Sequence, residues 1–282
     1  MLKVAVPNKG SLAEAAASLL AEAGYRQRRN TKDLVCVDAE NDVEFFYLRP
    51  RDIAIYVGEG TLDVGLTGRD LLLDSRAQAD EVMALGFAGS TFRFAAPEGG
   101  EITSVEQLDG RRIATSYRGL VETYLADRGM SASVVRLDGA VETSIRLGVA
   151  DAIADVVETG TTLRQAGLAV FGDPILTSEA VLIRRAQTPE PDGFEVFRRR
   201  VESVLVARSY VMMDYDIPAG QVEAAVALTP GIESPTVSPL HREGWSAVRA
   251  MVPRDAAQRV MDDLYALGAR GILVTDILAC RI

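Results

Sequence analysis

Short β-rich runs alternate with helical patterns through the first two thirds of the chain. The runs fall at Val4 to Val6, Leu34 to Asp38, Glu44 to Leu48 and Val64 to Thr67. Alternation of this kind predicts an α/β sheet. The helical pattern at Ser11 to Ala23 carries its own start and stop. Ser11 and Glu14 form an S-x-x-E capping box, while Leu12, Ala15, Ala16, Leu19, Leu20 and Ala23 share a face and Gly24 follows. The run Asp52 to Val57 comes just after Pro50, a residue suited to a helix start. A second set begins at Phe92 to Pro97 and continues through Arg112 to Thr115, Val134 to Leu137, a helix from Ala140 to Leu147, and Ala152 to Val157. It predicts a second α/β lobe. After Leu168 to Phe171, Ala180 to Ile183 reads as a strand that returns to the first lobe and leaves a cleft between the two. Two prolines and a glycine within Ala186 to Gly193 mark a loop before a connecting helix.

The remaining chain has a different order. Strand Tyr210 to Asp216, helix Ala219 to Leu228, strands Ser234 to Pro239 and Ala247 to Val252, helix Asp255 to Leu267 and strand Gly271 to Asp276 give βαββαβ, the ferredoxin-like motif. The expected organisation is one lobe over residues 1–90 completed by 178–186, a second lobe over 91–177, a connecting loop and helix over 187–209, and a C-terminal domain over 210–282.

Composition narrows the chemistry. A chain of 282 residues with 48% hydrophobic and 25% charged positions is an ordinary globular protein. Its net charge of −10, with the acids scattered, argues against nucleic acid as a partner. A phosphate ligand would have to be held by backbone NH groups, a few focused cations and a metal. Cys36 and Cys280 are the only cysteines. They support neither a disulfide framework nor a zinc site, so a reducing cytoplasm is expected. The start MLKVAVPNKG lacks the apolar core of an export signal, and no apolar run approaches the roughly 18 residues of a membrane span.

The stretch Asp155 to Leu163, DVVETGTTL, leaves an apolar strand through an unusual surplus of small donors. Either it is an N-capped turn that uses one threonine, or the NH groups and hydroxyls of Thr159, Gly160, Thr161 and Thr162 form an anion nest. In the second reading Asp155 and Glu158 suit sugar hydroxyls or the waters of Mg²⁺, and the ligand is a sugar phosphate. Lys9-Gly10 lies between the first strand and the first helix, where lysine either meets phosphate or is solvated. Arg49 and Arg51 flank Pro50. Arg49 is the better candidate for forked bonds to phosphate, and Arg51 reads as a surface residue. Thr67 to Asp70 ends a buried strand, with Asp70 either a helix cap or a ligand group. Thr115, Ser116 and Tyr117 are further candidate donors.

A wider window, ETSIRLGVADAIADVVETGTTL from Glu142, resembles the signature of the ATP phosphoribosyltransferase family in its long form. PNKGSL at Pro7 to Leu12, FFYLRPRDIAIYVGEGTLDVGLTGRD at Phe45 to Asp70 and RIATSY at Arg112 to Tyr117 resemble the same family. The resemblance covers essentially the whole chain. It departs at Arg118-Gly119, where many members carry proline and asparagine. It implies a two-lobed, periplasmic-binding-protein-like catalytic core followed by a regulatory domain. It also implies transfer of the 5-phosphoribosyl group of PRPP to N1 of ATP with Mg²⁺ present, the first step of histidine biosynthesis. On that reading Asp155 and Glu158 serve catalysis and Thr159 to Thr162 hold the PRPP phosphate. Lys9, Gly10, Arg49, Arg69, Asp70, Thr115, Ser116 and Tyr117 face ATP. Asp216, Ser234 and Thr236 bind L-histidine as inhibitor, and the chain forms a homo-oligomer, dimer to hexamer. Two other readings remain at this stage, a non-catalytic binding module and a phosphoribosyltransferase of the more common type.

Overall fold

A computed structural model of the chain describes residues 1–157 and 160–282. Two compact units divide it, residues 1–18 with 26–194 and residues 19–25 with 195–282. The first unit contains two sheets, each the centre of a lobe.

Lobe I runs β1 (Leu2–Pro7), α1 (Ser11–Glu22), β2 (Val35–Asp38), β3 (Val43–Leu48), α2 (Pro50–Gly58), β4 (Val64–Gly68), α3 (Arg69–Ser75) and β5 (Ala79–Ala84). Lobe II follows with β6 (Ser90–Pro97), β7 (Arg112–Thr115), α4 (Arg118–Asp127), β8 (Ser133–Arg136), α5 (Thr143–Arg146), β9 (Ala152–Val157), α6 (Thr161–Gln165) and β10 (Leu168–Ser178). The chain then returns as β11 (Ala180–Arg185), which lies between β4 and β5 and is antiparallel to both. The first sheet has the order β2-β3-β1-β4-β11-β5 and the second β10-β6-β9-β7-β8. Within them β3, β1 and β4 are parallel, as are β8, β7 and β9. Parallel strands need cover on both faces and so read as continuous apolar runs. Every residue of β4 is buried. In lobe II, Phe92, Phe94, Leu108, Ile113 and Val121 fill one face of the sheet, and Ala95, Ala114, Ile153, Leu163 and Leu168 fill the other.

Two elements differ from the sequence expectation. The helix expected over Ala140 to Leu147 is only Thr143–Arg146. Gly139 (φ 98°) and Ala140 (φ 48°) are left-handed and cannot open a right-handed helix, and Gly148 (φ 68°) turns the chain away again. The strand expected over Leu168 to Phe171 extends to Ser178, with a register shift against β6 between Phe171 and Leu176. Pro174 lies inside that shift and cannot donate to a ladder.

The second unit carries α7 (Phe194–Ser209) almost whole, then β12 (Tyr210–Pro218), α8 (Val222–Leu228), β13 (Thr236–Pro239), β14 (Trp245–Pro253), α9 (Ala257–Ala266) and β15 (Arg270–Asp276). Its antiparallel sheet has the order β13-β14-β12-β15, the ferredoxin-like arrangement. Val211, Met213, Tyr215 and Ile217 alternate onto the face covered by Ala225 of α8 and by Val260 and Leu264 of α9. Inside that layer the Tyr215 and Thr229 hydroxyls are 2.7 Å apart, which satisfies both.

Gly65 of β4 packs closely against the apolar face of α2. A Cβ there would come within 2.5 Å of Ile53 Cγ2 and 3.1 Å of Val57 Cγ2 on α2. Gly65→Ala is therefore expected to destabilise the fold by about 2 kcal/mol, the usual cost of overpacking a core. Gly89→Ala, where nothing lies within 4 Å of the added atom, should stay near neutral. Urea midpoints of the two variants at equal m-value check this.

Candidate active site

Ligands of open α/β sheets bind beyond the carboxyl ends of the parallel strands. Here those ends are Pro7, Leu48 and Gly68 in lobe I, and Thr115, Arg136 and Val157 in lobe II. A cavity of about 1130 Å³ opens among the loops that follow them, lined by Lys9, Gly10, Arg49, Arg51, Ser116 and Tyr117. Its full lining has six Lys and Arg side chains against four Asp and Glu. A local excess of cations in a chain of net charge −10 focuses an anion-attracting field. Among the described residues neither Lys9 nor Arg49 has an ion-pair partner.

Arg51 stands at the centre, contrary to its reading as a surface arginine. Pro50 opens α2, which places Arg51 in the first turn. Its Nη1 is 3.2 Å from Asp74 Oδ2, and its guanidinium carbon lies 4.4 Å from the centroid of the Tyr117 ring. That is cation–π range. Pro50 as a helix start fixes where the first turn begins, but the pairing of Arg51 with Asp74 and Tyr117 comes from the tertiary fold. Thr67 Oγ1 donates to Pro50 O at 2.9 Å and ties the end of β4 to this helix start.

Tyr117 lies under the guanidinium, and Asp155 and Asp70 are within electrostatic reach of that ring. Burial pushes the Asp155 carboxyl above its ordinary range. Glu142 and Asp70 push the same way, while the Val156 NH at 2.8 Å and Arg51 oppose them. Burial likewise pushes the Tyr117 phenol well up, helped by Asp70 and Asp155 and opposed by Arg51. Asp70 is buried, and its Oδ1 accepts from Ser178 Oγ at 2.9 Å while its own NH donates to that oxygen at 3.0 Å. Titratable groups shifted by burial together with specific charged neighbours mark functional sites. Glu142 and Asp74 belong to this constellation and were not picked out from the sequence.

Two expected ligand residues are engaged elsewhere. The Arg69 guanidinium makes a two-pronged contact with Glu81, at 2.8 and 2.7 Å, and reaches Glu179 at 3.4 Å. These carboxylates raise its pKa and occupy the donors a phosphate would need. Thr115 is fully buried, and its Oγ1 accepts the Tyr117 NH at 2.9 Å. It shapes the turn and is not part of the cavity lining, whereas Ser116 and Tyr117 are. At the end of β9, Gly160 (φ 69°) caps α6, with Thr161 and Thr162 exposed in its first turn. Glu158 and Thr159 lie outside the described residues.

In the second unit, Asp214, Asp216 and Thr236 share the sheet face turned away from α8 and α9, as the pairings Asp214 with Arg249, Asp216 with Ala247 and Thr236 with Arg249 require. Strand β14 separates Asp216 from Thr236. Asp214 is bound to Arg249 at 2.6 Å, and Ser234 is exposed in the loop before β13.

The sequence profile of HisG, ATP phosphoribosyltransferase, matches residues 49–205, and that of the HisG C-terminal domain matches residues 207–279. The ATP phosphoribosyltransferase of Paenarthrobacter aurescens is 66% identical over the full length of both chains, and that of Streptomyces coelicolor is 65% identical, also over both full lengths. Among solved structures, a chain of the ATP phosphoribosyl transferase (HisG:HisZ) complex from Thermotoga maritima is similar with a TM-score of 0.62 and 26% identity, covering 73% of this chain and 98% of that one. With a cationic cleft at the strand ends of two lobes and matches that span both units, the chain belongs to the ATP phosphoribosyltransferase family, in the form that carries a C-terminal domain.

Proposed function

We propose that the chain transfers the 5-phosphoribosyl group of PRPP to N1 of ATP and releases pyrophosphate, the first step of histidine biosynthesis. The observation that carries this reading is the cationic cleft lined by Lys9, Arg49 and Arg51, with the half-buried Asp155 of β9 within electrostatic reach of Arg51. In the reaction the lone pair of adenine N1 forms a bond to the anomeric carbon as its bond to pyrophosphate breaks. Positive charge builds on the ribose ring and negative charge on the leaving group. The ionised Asp155 suits the first, and Lys9, Arg49 and Arg51 suit the second. N1 needs no deprotonation, so catalysis rests on positioning and electrostatics. By the family resemblance Thr159, Gly160, Thr161 and Thr162 are read as holding the 5-phosphate and Glu158 as serving catalysis with Asp155. Asp70, Ser116 and Tyr117 are read as the nucleotide side, with Gly10 allowing close approach.

A divalent cation, Mg²⁺ by the chemistry of phosphates, fits the donor set. Among the described residues no three His, Cys, Asp or Glu side chains form a cage. Asp155 and Glu142 lie within electrostatic reach of one another, and one or two carboxylates completed by substrate phosphates are the usual Mg²⁺ arrangement. When bound, the ion neutralises charge on the departing pyrophosphate. Among the described residues no helix is long and apolar enough to cross a membrane, and a cytoplasmic enzyme assembling as a hexamer agrees with this reading. L-histidine is proposed as its inhibitor, bound through Asp216, Ser234 and Thr236.

Three outcomes test these assignments. Purified protein given ATP, PRPP and Mg²⁺ should release pyrophosphate and develop a new adenine absorbance, and folded protein that yields neither excludes the activity. Asp155→Asn should lower turnover by roughly a hundredfold, as for loss of one electrostatic stabiliser, yet raise the melting temperature at pH 7. The carboxyl's folded value lies above its ordinary 3.8, so stability is fully present below that pH and is lost as pH rises towards the folded value. The thermal gain of the variant should accordingly vanish below about pH 3.8. Asp216→Ala should abolish inhibition by histidine while sparing turnover, as read by initial rates across a histidine titration.

A further inference from the structure

The two lobes of the first unit meet at the end of α3 and the start of α4, away from the crossing strands. A Cβ at Gly119 would stand 2.2 Å from the Asp74 carbonyl oxygen, so α4 rests on that carbonyl only because the residue is glycine. Just beyond it, Leu120 NH of lobe II donates to Asp74 Oδ1 at 3.2 Å. The other oxygen of the same carboxylate, Oδ2, holds Arg51 Nη1 at 3.2 Å within lobe I. Arg76 fastens the contact from the side, donating to Gly119 O at 3.0 Å and lying 3.3 Å from Glu122 Oε2.

One carboxylate thus has each oxygen on a different duty. Oδ1 is engaged only while the lobes are together. Oδ2 fixes the guanidinium that lies over Tyr117 and within electrostatic reach of Asp155. The side chain of Asp74 is only 15% exposed, so water competes poorly for it, and charge-assisted hydrogen bonds are strong under those conditions. With the lobes apart, Oδ1 loses its donor and the carboxylate is free to rotate, which releases Arg51.

We propose that Asp74 is a positioning residue that links lobe closure to the orientation of Arg51, so that the guanidinium is aimed at the reacting centre only when Leu120 NH is docked. The proposal rests on the reading of Arg51 as an anion-binding group of the cleft. It does not depend on which phosphoryl or pyrophosphoryl substrate is bound.

The test uses the full chain and separates the two oxygens. Asp74→Asn keeps an acceptor for Leu120 NH but turns its amide donors towards Arg51, and Asp74→Ala removes both contacts. Pyrophosphate with Mg²⁺ is the binding probe, followed by calorimetry, and turnover is measured in parallel. Asp74→Asn is expected to lower turnover and pyrophosphate affinity by roughly tenfold with an unchanged melting temperature. In an Arg51→Met background the same substitution should have little further effect, because its consequence passes through that guanidinium. Amide hydrogen exchange at residues 118–122 should speed up in Asp74→Ala and stay slow in Asp74→Asn. A loss of equal size in both backgrounds, or wild-type affinity in Asp74→Asn, overturns the proposal. Absence of turnover in the unmodified protein would reject the proposed reaction instead, while the affinity and exchange measurements would still decide the role of Asp74.

Discussion

The guanidinium of Arg51 is where charges from both lobes converge. Asp74 holds it from lobe I, the ring of Tyr117 lies against it from lobe II, and its charge reaches Asp155 of lobe II. Burial and neighbouring carboxylates push both the half-buried Asp155 and the half-buried Tyr117 up, and the Arg51 cation opposes this at each. Much of the local architecture follows from holding that cation still. Pro50 starts its helix, Thr67 ties the helix start to β4, and Gly68 leaves room for Asp70, whose Oδ1 would lie 2.3 Å from any Cβ there. Ser178 on the returning chain then fixes Asp70.

The cleft reconciles an acidic protein with polyanionic ligands. The remaining negative charge is spread over the surface, where solvent screens it over about 10 Å. The cations of the cleft stand inside one concavity, where low-dielectric walls preserve their field. Backbone groups add to this, since the parallel strands of both sheets end there. Arg69 shows the opposite arrangement, for its donors are already taken by Glu81 and Glu179 and it serves the structure near β11.

The elements were legible in the sequence where one periodicity ran uninterrupted. α1, with its apolar face and its stop at Gly24 (φ 83°), and the βαββαβ order of the C-terminal sheet both came from local pattern. The region around Ala140 misled because an apolar spacing does not reveal a left-handed φ at a non-glycine residue. For the site, the residue types after β1, β3 and β7 pointed to phosphate chemistry, and Lys9, Arg49, Ser116 and Tyr117 do line the cavity. What could not be read was pairing across long separations in sequence. Arg51 meets Tyr117 and Arg69 meets Glu179, and only the tertiary fold brings them together. Thr115 was a plausible donor by type, but its hydroxyl is used two residues away.

The position of β11 has a consequence for how the chain comes to be folded. β5 has no partner in its sheet until residues 180–185 arrive, because β11 lies between it and β4. During synthesis, lobe I therefore waits with an open edge while the whole of lobe II is made. Lobe II, whose strands lie within residues 90–178, takes no strand from lobe I into its sheet, and its two ends adjoin β5 and β11. The sheet of lobe I is thus complete only with residues that follow lobe II, and without them β4 presents an unpaired edge.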